Sequence, residues 1–200
     1  MTDFSGGSWG SLITGDEDSA IPDNTVAHYD ASQLSLNDGD TVSVWPDEQG
    51  DNDLDIQTGS TTYVESGING NPAITFNGDG LEVTGLSVTQ PNTTYLVFEY
   101  RSGAWDDGRV LSGVSERQLV GWAAPAQSNW VTYAGISLDG TQDINIQLIT
   151  AVFDGANSII REDGVETGVG DAGQTIWTVC RLDTIPLRTF FMLTHTSVKL

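Results

Sequence analysis

The chain is poor in cations, in cysteine and in long apolar runs, and each shortage removes a class of function. Of its 200 residues 7 are Lys or Arg against 28 Asp or Glu, a formal net charge of −21, and Lys199 is the lone lysine. No basic patch exists to neutralise phosphates, so nucleic acid is not an expected partner. Cys180 stands alone, which rules out an internal disulfide. No run approaches the ~18–20 apolar residues of a membrane-spanning helix, so no membrane insertion is expected. The opening MTDFSGGSWGSLITGDEDSAIPD has neither a basic start nor an apolar centre, unlike a secretory signal peptide. There is no CxxC, no HExxH and no glycine-rich phosphate loop ahead of a helix.

What is present is acid spread along a chain that can still build a core. Hydrophobic residues make up 38% of the sequence and fall in periodic, aromatic-bearing runs, which argues for a fold rather than disorder. A chain of this length forms one domain. So large an excess of carboxylate repels itself at low salt and is tolerated where salt screens it, which points to a protein of a salt-loving organism. The acid is not uniform. Residues 1–174 hold 27 acids and 4 bases, whereas residues 175–200 hold one acid, Asp183, and three bases, Arg181, Arg188 and Lys199.

The hydrophobic period is that of strands. Residues 1–24 form an arm or linker rich in Gly, Ser and acids, with Phe4, Trp9, Leu12 and Ile13 as scattered anchors. From Thr25 onward no window keeps a 3.6-residue period. Thr41–Trp45 alternates, with Val42 and Val44 assigned to one face and Trp45 to the core. Short strands are expected at Ala73–Phe76 and Leu81–Val83, around the turn Asn77-Gly78-Asp79-Gly80. Thr93–Tyr100, rich in Thr, Tyr, Val and Phe, is the clearest. Arg109–Val114, Gln118–Trp122, Trp130–Leu138, Ile144–Phe153, Ser158–Glu162 and Val165–Thr167 follow, the last two joined by the two-residue turn Asp163-Gly164. Such regularly spaced strands mean a sandwich or a barrel.

Particular residues narrow the choice. Tyr29-Asp30-Ala31-Ser32, Trp45-Pro46-Asp47, Gly50, Asn69-Gly70-Asn71-Pro72-Ala73 and Phe76-Asn77-Gly78, followed late in the chain by Leu148–Gly155 and Glu162–Glu166, together resemble a LamG-like, concanavalin A-type jelly roll. The resemblance spans about residues 25–173. It implies an all-β sandwich of two antiparallel sheets, and it implies little about function, because lectins, glycanases and adhesins share the fold. Beyond Gly173 the resemblance stops. The family carries an acidic, Gly-containing strand pair there, whereas this chain reads QTIWTVCRLDTIPLRTFFMLTHTSVKL. Codons for Gly173–Pro186 can be chosen that, read in another frame, give the family-like TNNLDGLSIGYDPA. A reading-frame shift near Gly173, with a tail that fails to complete the sandwich, is the expectation. A divergent pair of imperfect strands, Ile176–Val179 and Thr189–Leu193, is the alternative.

Two clusters are candidate sites. Asp47, Asp51, Asp53 and Asp55 crowd one loop, and carboxylates so spaced can offer several oxygens to one calcium ion. The spacing misses an EF-hand loop, and a solvated acidic loop is the plainer explanation. Trp105, Asp106, Asp107, Trp122, Asn129 and Trp130 combine indoles with Asp and Asn, the pairing that stacks on sugar rings and fixes hydroxyls. The same indoles could equally fill the core. Catalysis finds no motif. A retaining glycanase needs two carboxylates ~5 Å apart, the family's E-x-D-x-x-E run is absent, and Glu162-Asp163-x-x-Glu166 straddles a turn.

Together these readings point to a non-enzymatic virion surface protein of a haloarchaeal virus: a capsid decoration, turret or tail-fibre component. Its expected partners are other virion proteins, engaged through the N-terminal arm, and host-surface glycans, with a homo-oligomer left open. A cellular carbohydrate-binding or adhesion module is the alternative, and a glycoside hydrolase is disfavoured.

Overall fold

The computed structural model describes residues 21–100, 109–113, 118–122, 130–141, 147–183 and 187–196. They form fifteen strands and two single 3-10 turns, Ala31–Gln33 and Gly155–Asn157. No helix among them is long and apolar enough to cross a membrane.

The strands make two antiparallel sheets. The first contains β1 (Thr25–Asp30), β3 (Thr62–Ile68), β4 (Asn71–Phe76), β6 (Asn92–Tyr100), β11 (Gln147–Phe153), β12 (Ser158–Glu162), β13 (Val165–Gly170) and β15 (Leu187–Thr196). Their order is β13-β12-β11-β6-β15-β4-β3, with β1 also paired to β15. The second contains β2 (Ile56–Thr58), β5 (Gly80–Val88), β7 (Arg109–Ser112), β8 (Leu119–Trp122), β9 (Trp130–Tyr133), β10 (Ser137–Asp139) and β14 (Trp177–Asp183), in the order β10-β9-β8-β7-β14-β5-β2. This is the expected sandwich of two antiparallel sheets.

One face of each sheet turns inward. On β6, Leu96 and Phe98 enter the core; on β11, Ile149, Ala151 and Phe153; on β5, Leu81, Val83, Leu86 and Val88. Trp45 and Tyr29 lie at the centre, their ring centroids 5.8 Å apart and tilted by 58°. Each such large side chain contributes about 1.5–3 kcal/mol by leaving water. Tight hairpins set the register. At β12–β13, Asp163 (φ 50°) and Gly164 (φ 80°) form the expected two-residue turn, whose left-handed backbone suits Gly and is tolerated by Asp.

The backbone differs from the sequence reading in several places. Thr41–Trp45 is not a strand; it is held by isolated bridges, Thr41 to Thr62 and Trp45 to Leu54, and by bonds between Val42 and Thr61. Val42 and Val44 do not share a face, since Val42 is buried and Val44 exposed. Alternation alone does not make a strand where no neighbour supplies a ladder. Thr62–Ile68 is a strand despite its polar Glu65-Ser66-Gly67 centre, because a bulge between Val64 and Ile68 takes up those residues. The run 130–138 breaks into β9 and β10 at Ala134–Ile136, where Gly135 takes φ 113°.

The largest correction concerns the tail. Its backbone does complete the sandwich: β14 lies between β5 and β7, and β15 between β6 and β4, with β1 beside it. Strands β14 and β15 overlap the alternative's Ile176–Val179 and Thr189–Leu193. Strand pairing is made by backbone groups, and the β-branched and aromatic content of 176–179 and 189–194 suits strands whatever the local charge. The entry to β14 is fixed by side-chain amides that bond the main chain. Gln90 Nε2 donates to the carbonyls of Gly173 and Thr175, each at 3.1 Å, Gln118 Nε2 donates to Thr175 O at 2.9 Å, and Gln90 Oε1 accepts from Gly155 N at 2.8 Å. Gly173 itself has no substitute: its φ is 90°, and a Cβ would sit 2.1 Å from Ala134 O.

Candidate functional site

The acidic loop is strapped onto β1 by its own side chains. The buried Asp47 accepts through Oδ1 from His28 N (2.9 Å) and Gln49 N (3.0 Å), and through Oδ2 from Asn52 N (3.3 Å) and Asn52 Nδ2 (3.1 Å). Asp53 accepts from Asp47 N at 2.9 Å. Asn52 Nδ2 also donates to Val26 O, and the Tyr29 hydroxyl donates to Asn52 O. Asp51 and Asp55 are exposed. Two of the four candidate calcium ligands thus spend lone pairs on loop amides. Among the described residues no group of three or more His, Cys, Asp or Glu side chains is placed to hold a metal ion.

His28 reports on this loop. Burial lowers its pKa below the usual 6.5, opposed by the nearby carboxylates of Asp30 and Asp47. A base held neutral in the fold takes its proton more readily in the unfolded chain. Its contribution is therefore present above about pH 6.5 and lost as pH falls through the lower, folded value. Thermal melts between pH 7.5 and 5 are expected to show falling stability, and His28→Gln is expected to flatten that slope. An unchanged slope in the variant would assign the acid sensitivity elsewhere.

Trp122 and Trp130 pair across β8 and β9 at one end of the sandwich. Arg109 pairs with Gly121, and Trp122 pairs with Trp130, so the start of β7, the end of β8 and the start of β9 lie side by side. Segments 101–108 and 123–129 spring from those neighbouring ends. Trp105, Asp106, Asp107 and Asn129 lie outside the described residues; Trp122 and Trp130 are in register across β8 and β9. Gly80 and Asp183, paired on β5 and β14, mark the same end. It is stiffened by Asp79, which accepts from Ser60 N (3.0 Å) and Asn77 N (3.3 Å).

The carboxylates near the late hairpin do not form a pair across a sugar. Glu162 points inward, accepting from Thr141 N (2.6 Å), Thr167 Oγ1 (2.7 Å) and the Thr141 hydroxyl. Glu166 lies on the opposite face, 3.7 Å from Arg161. The sequence reading missed Glu162 as a clamp between the sheets, and the amides of Gln90, Asn92 and Gln118 at the far end of the sandwich.

No protein family matches the chain, and no curated protein matches it. Solved structures do. Domain 4 of AbnA, a GH43 extracellular arabinanase from Geobacillus stearothermophilus in complex with arabinotriose, superposes with a TM-score of 0.62 at 13% identity, covering 87% of this chain and 93% of that one. Trypanosoma rangeli sialidase in complex with sialic acid gives 0.54 at 10% identity; 88% of this chain is covered, which spans only 31% of the sialidase. The exoplasmic/lumenal domain of VIP36, in its Ca2+/Man2-bound form, gives 0.51 at 5% identity, covering 88% and 91%. What is shared is the fold. It is a β-sandwich of the kind found in sugar-binding and glycoside-hydrolysing proteins.

These neighbours correct one expectation. The absence of enzymatic activity was inferred from a missing carboxylate run, yet solved chains of this fold include parts of an arabinanase and a sialidase. A missing signature of one glycanase family does not exclude other arrangements of acids on the same scaffold.

Proposed function

We propose that this chain is a carbohydrate-directed β-sandwich module whose sugar-contacting groups gather at the end of the sandwich carrying segments 101–108 and 123–129. The observation that carries the reading is the register of β7, β8 and β9, which brings the roots of both segments together. Those segments and their flanks contain Trp105, Asp106, Asp107, Trp122, Asn129 and Trp130. Support comes from the three fold neighbours, whose own structures are described with arabinotriose, sialic acid and Man2. Titration with arabinotriose and mannobiose tests it. Trp105→Ala and Trp130→Ala are each expected to weaken binding by about 1–3 kcal/mol, the scale of a stacked ring. Unaltered binding with an intact fold would remove these indoles from the site.

The arabinanase and sialidase neighbours favour a second reading, glycoside hydrolysis. Incubation with arabinan and sialyllactose separates the two, since release of reducing ends or of free sialic acid is the result hydrolysis requires. The finer setting we propose is a virion surface in a salt-loving host. It draws on the acid excess of the chain, and mass spectrometry of purified virions tests it.

A further inference from the structure

Asparagine followed by glycine occurs twice in the chain, as Asn69-Gly70 and Asn77-Gly78. All four residues are exposed. Such a pair can react with itself. The backbone nitrogen of the glycine attacks the side-chain carbonyl carbon of the asparagine, an N–C bond forms, and the side-chain nitrogen leaves as ammonia. Water then opens the resulting five-membered imide at either carbonyl, giving aspartate or isoaspartate. Glycine favours the attack because it has no side chain to crowd its nitrogen. In a folded chain the backbone decides whether the reaction runs, since the ring closes only when ψ of the asparagine turns strongly negative.

The fold treats the two pairs differently. Asn69 and Gly70 are the two-residue loop of the β3–β4 hairpin, closed by the pairing of Ile68 with Asn71. Their φ values, 49° and 80°, are both left-handed, as a type I′ turn requires. Such a turn holds ψ of its first central residue at about +30°, far from the reactive value. Asn71 Nδ2 adds bonds to Ile68 O and Asn69 O, each at 3.4 Å. Asn69 therefore reacts only after the end of the hairpin opens. Asn77 and Gly78 lack that lock. They lie between Phe76, the last residue of β4 in the first sheet, and Gly80, the first residue of β5 in the second. The two strands do not pair with each other, so the segment is a crossing between sheets and not a hairpin turn. Asn77 is not left-handed, and a Cβ at Gly78 would meet nothing within 4 Å. The bond from Asn77 N to Asp79 Oδ2 spans ψ of Asn77, but at 3.3 Å it is a weak restraint.

We infer that Asn77 is a self-modification site, converted to aspartate and isoaspartate in the folded protein while the hairpin holds Asn69 back. Each conversion adds a carboxylate beside Asp79, in a chain already at −21. Isoaspartate also routes the main chain through the former side chain, which lengthens the path between Asn77 N and Asp79 Oδ2 by one bond. Asp79 ties this loop to Ser60 N at 3.0 Å, at the end of the sandwich that carries segments 101–108 and 123–129. The inference stands independently of what those segments bind.

Prolonged incubation of the full chain at mildly alkaline pH tests the assignment, with one sample folded and one unfolded in guanidinium chloride. Proteolytic mapping by mass spectrometry follows the amide-to-acid mass change at each asparagine, and circular dichroism checks the folded sample. In the folded protein Asn77 is expected to convert roughly tenfold or more faster than Asn69, the factor set by opening the hairpin. In the unfolded chain the two are expected to convert at similar rates, because the turn is what separates them. Asn77→Gln, whose longer side chain must form a larger ring, is expected to keep position 77 unmodified and leave the rate at Asn69 unchanged. A folded-state rate at Asn69 equal to or above that at Asn77 would overturn the assignment. So would an Asn77 that converts in denaturant but stays intact in the fold, or one that converts in neither sample.

Discussion

Removing residues 177–196 is expected to abolish the folded state outright rather than lower its melting point. β14 and β15 sit inside their sheets, not at the edges. Deletion strips β5, β7, β6 and β4 of a neighbour and takes from β1 its pairing with β15. Newly unpaired edges template aggregation, and the uncovered inner faces expose the core. A gentler probe is Cys180→Pro. Cys180 pairs with Val83 within β14, and proline in a central strand removes a ladder hydrogen bond and leaves a buried partner unsatisfied, at a cost of about 1–3 kcal/mol. Size-exclusion chromatography and far-ultraviolet circular dichroism read both changes. A truncated chain that stays monomeric and melts cooperatively would show that the tail is dispensable. The frame-shift reading has its own measurement: an intact mass for the native protein that departs from these 200 residues, with gene sequence around codon 173 to match.

Much of the fold was legible because it depends on local pattern. The alternation in Thr93–Tyr100, the Asp163-Gly164 turn and the placement of Trp45 in the core all follow from neighbours within a few residues, and all are present in the structure. Where partners are distant, pattern misleads. Thr41–Trp45 alternates like a strand yet lacks a ladder, and 62–68 is a strand whose bulge hides the alternation. The tail reads as foreign by charge, but its place is set by backbone slots left open between β5 and β7 and between β6 and β4. The sites show the same divide. Asp47, Asp51, Asp53 and Asp55 resemble a ligand set along the chain, but sequence does not say that Asp47 spends its lone pairs on His28, Gln49 and Asn52.

Raising sodium chloride from about 0.1 M to about 2 M is expected to raise the melting temperature by roughly 5–10 °C, the equivalent of about 2–3 kcal/mol for a domain this size. The chain holds −21 on 21.4 kDa. The partly exposed pair of Arg161 and Glu166 offsets some of that charge, and such pairs contribute little. Folding therefore draws together carboxylates that outnumber the cations, 28 to 7. The screening length shrinks from ~10 Å at 0.1 M to ~3 Å at 1 M, which relieves repulsion more in the compact state than in the expanded chain. Some salts also strengthen apolar burial, so pH supplies the control. Near pH 4.1, the isoelectric point of the sequence, the net charge vanishes and the salt gain is expected to shrink sharply. A melting temperature indifferent to salt at pH 7, or an equal gain at pH 4.1, would mean that the acid excess is not what salt stabilises, and the argument for a salt-loving origin would go with it.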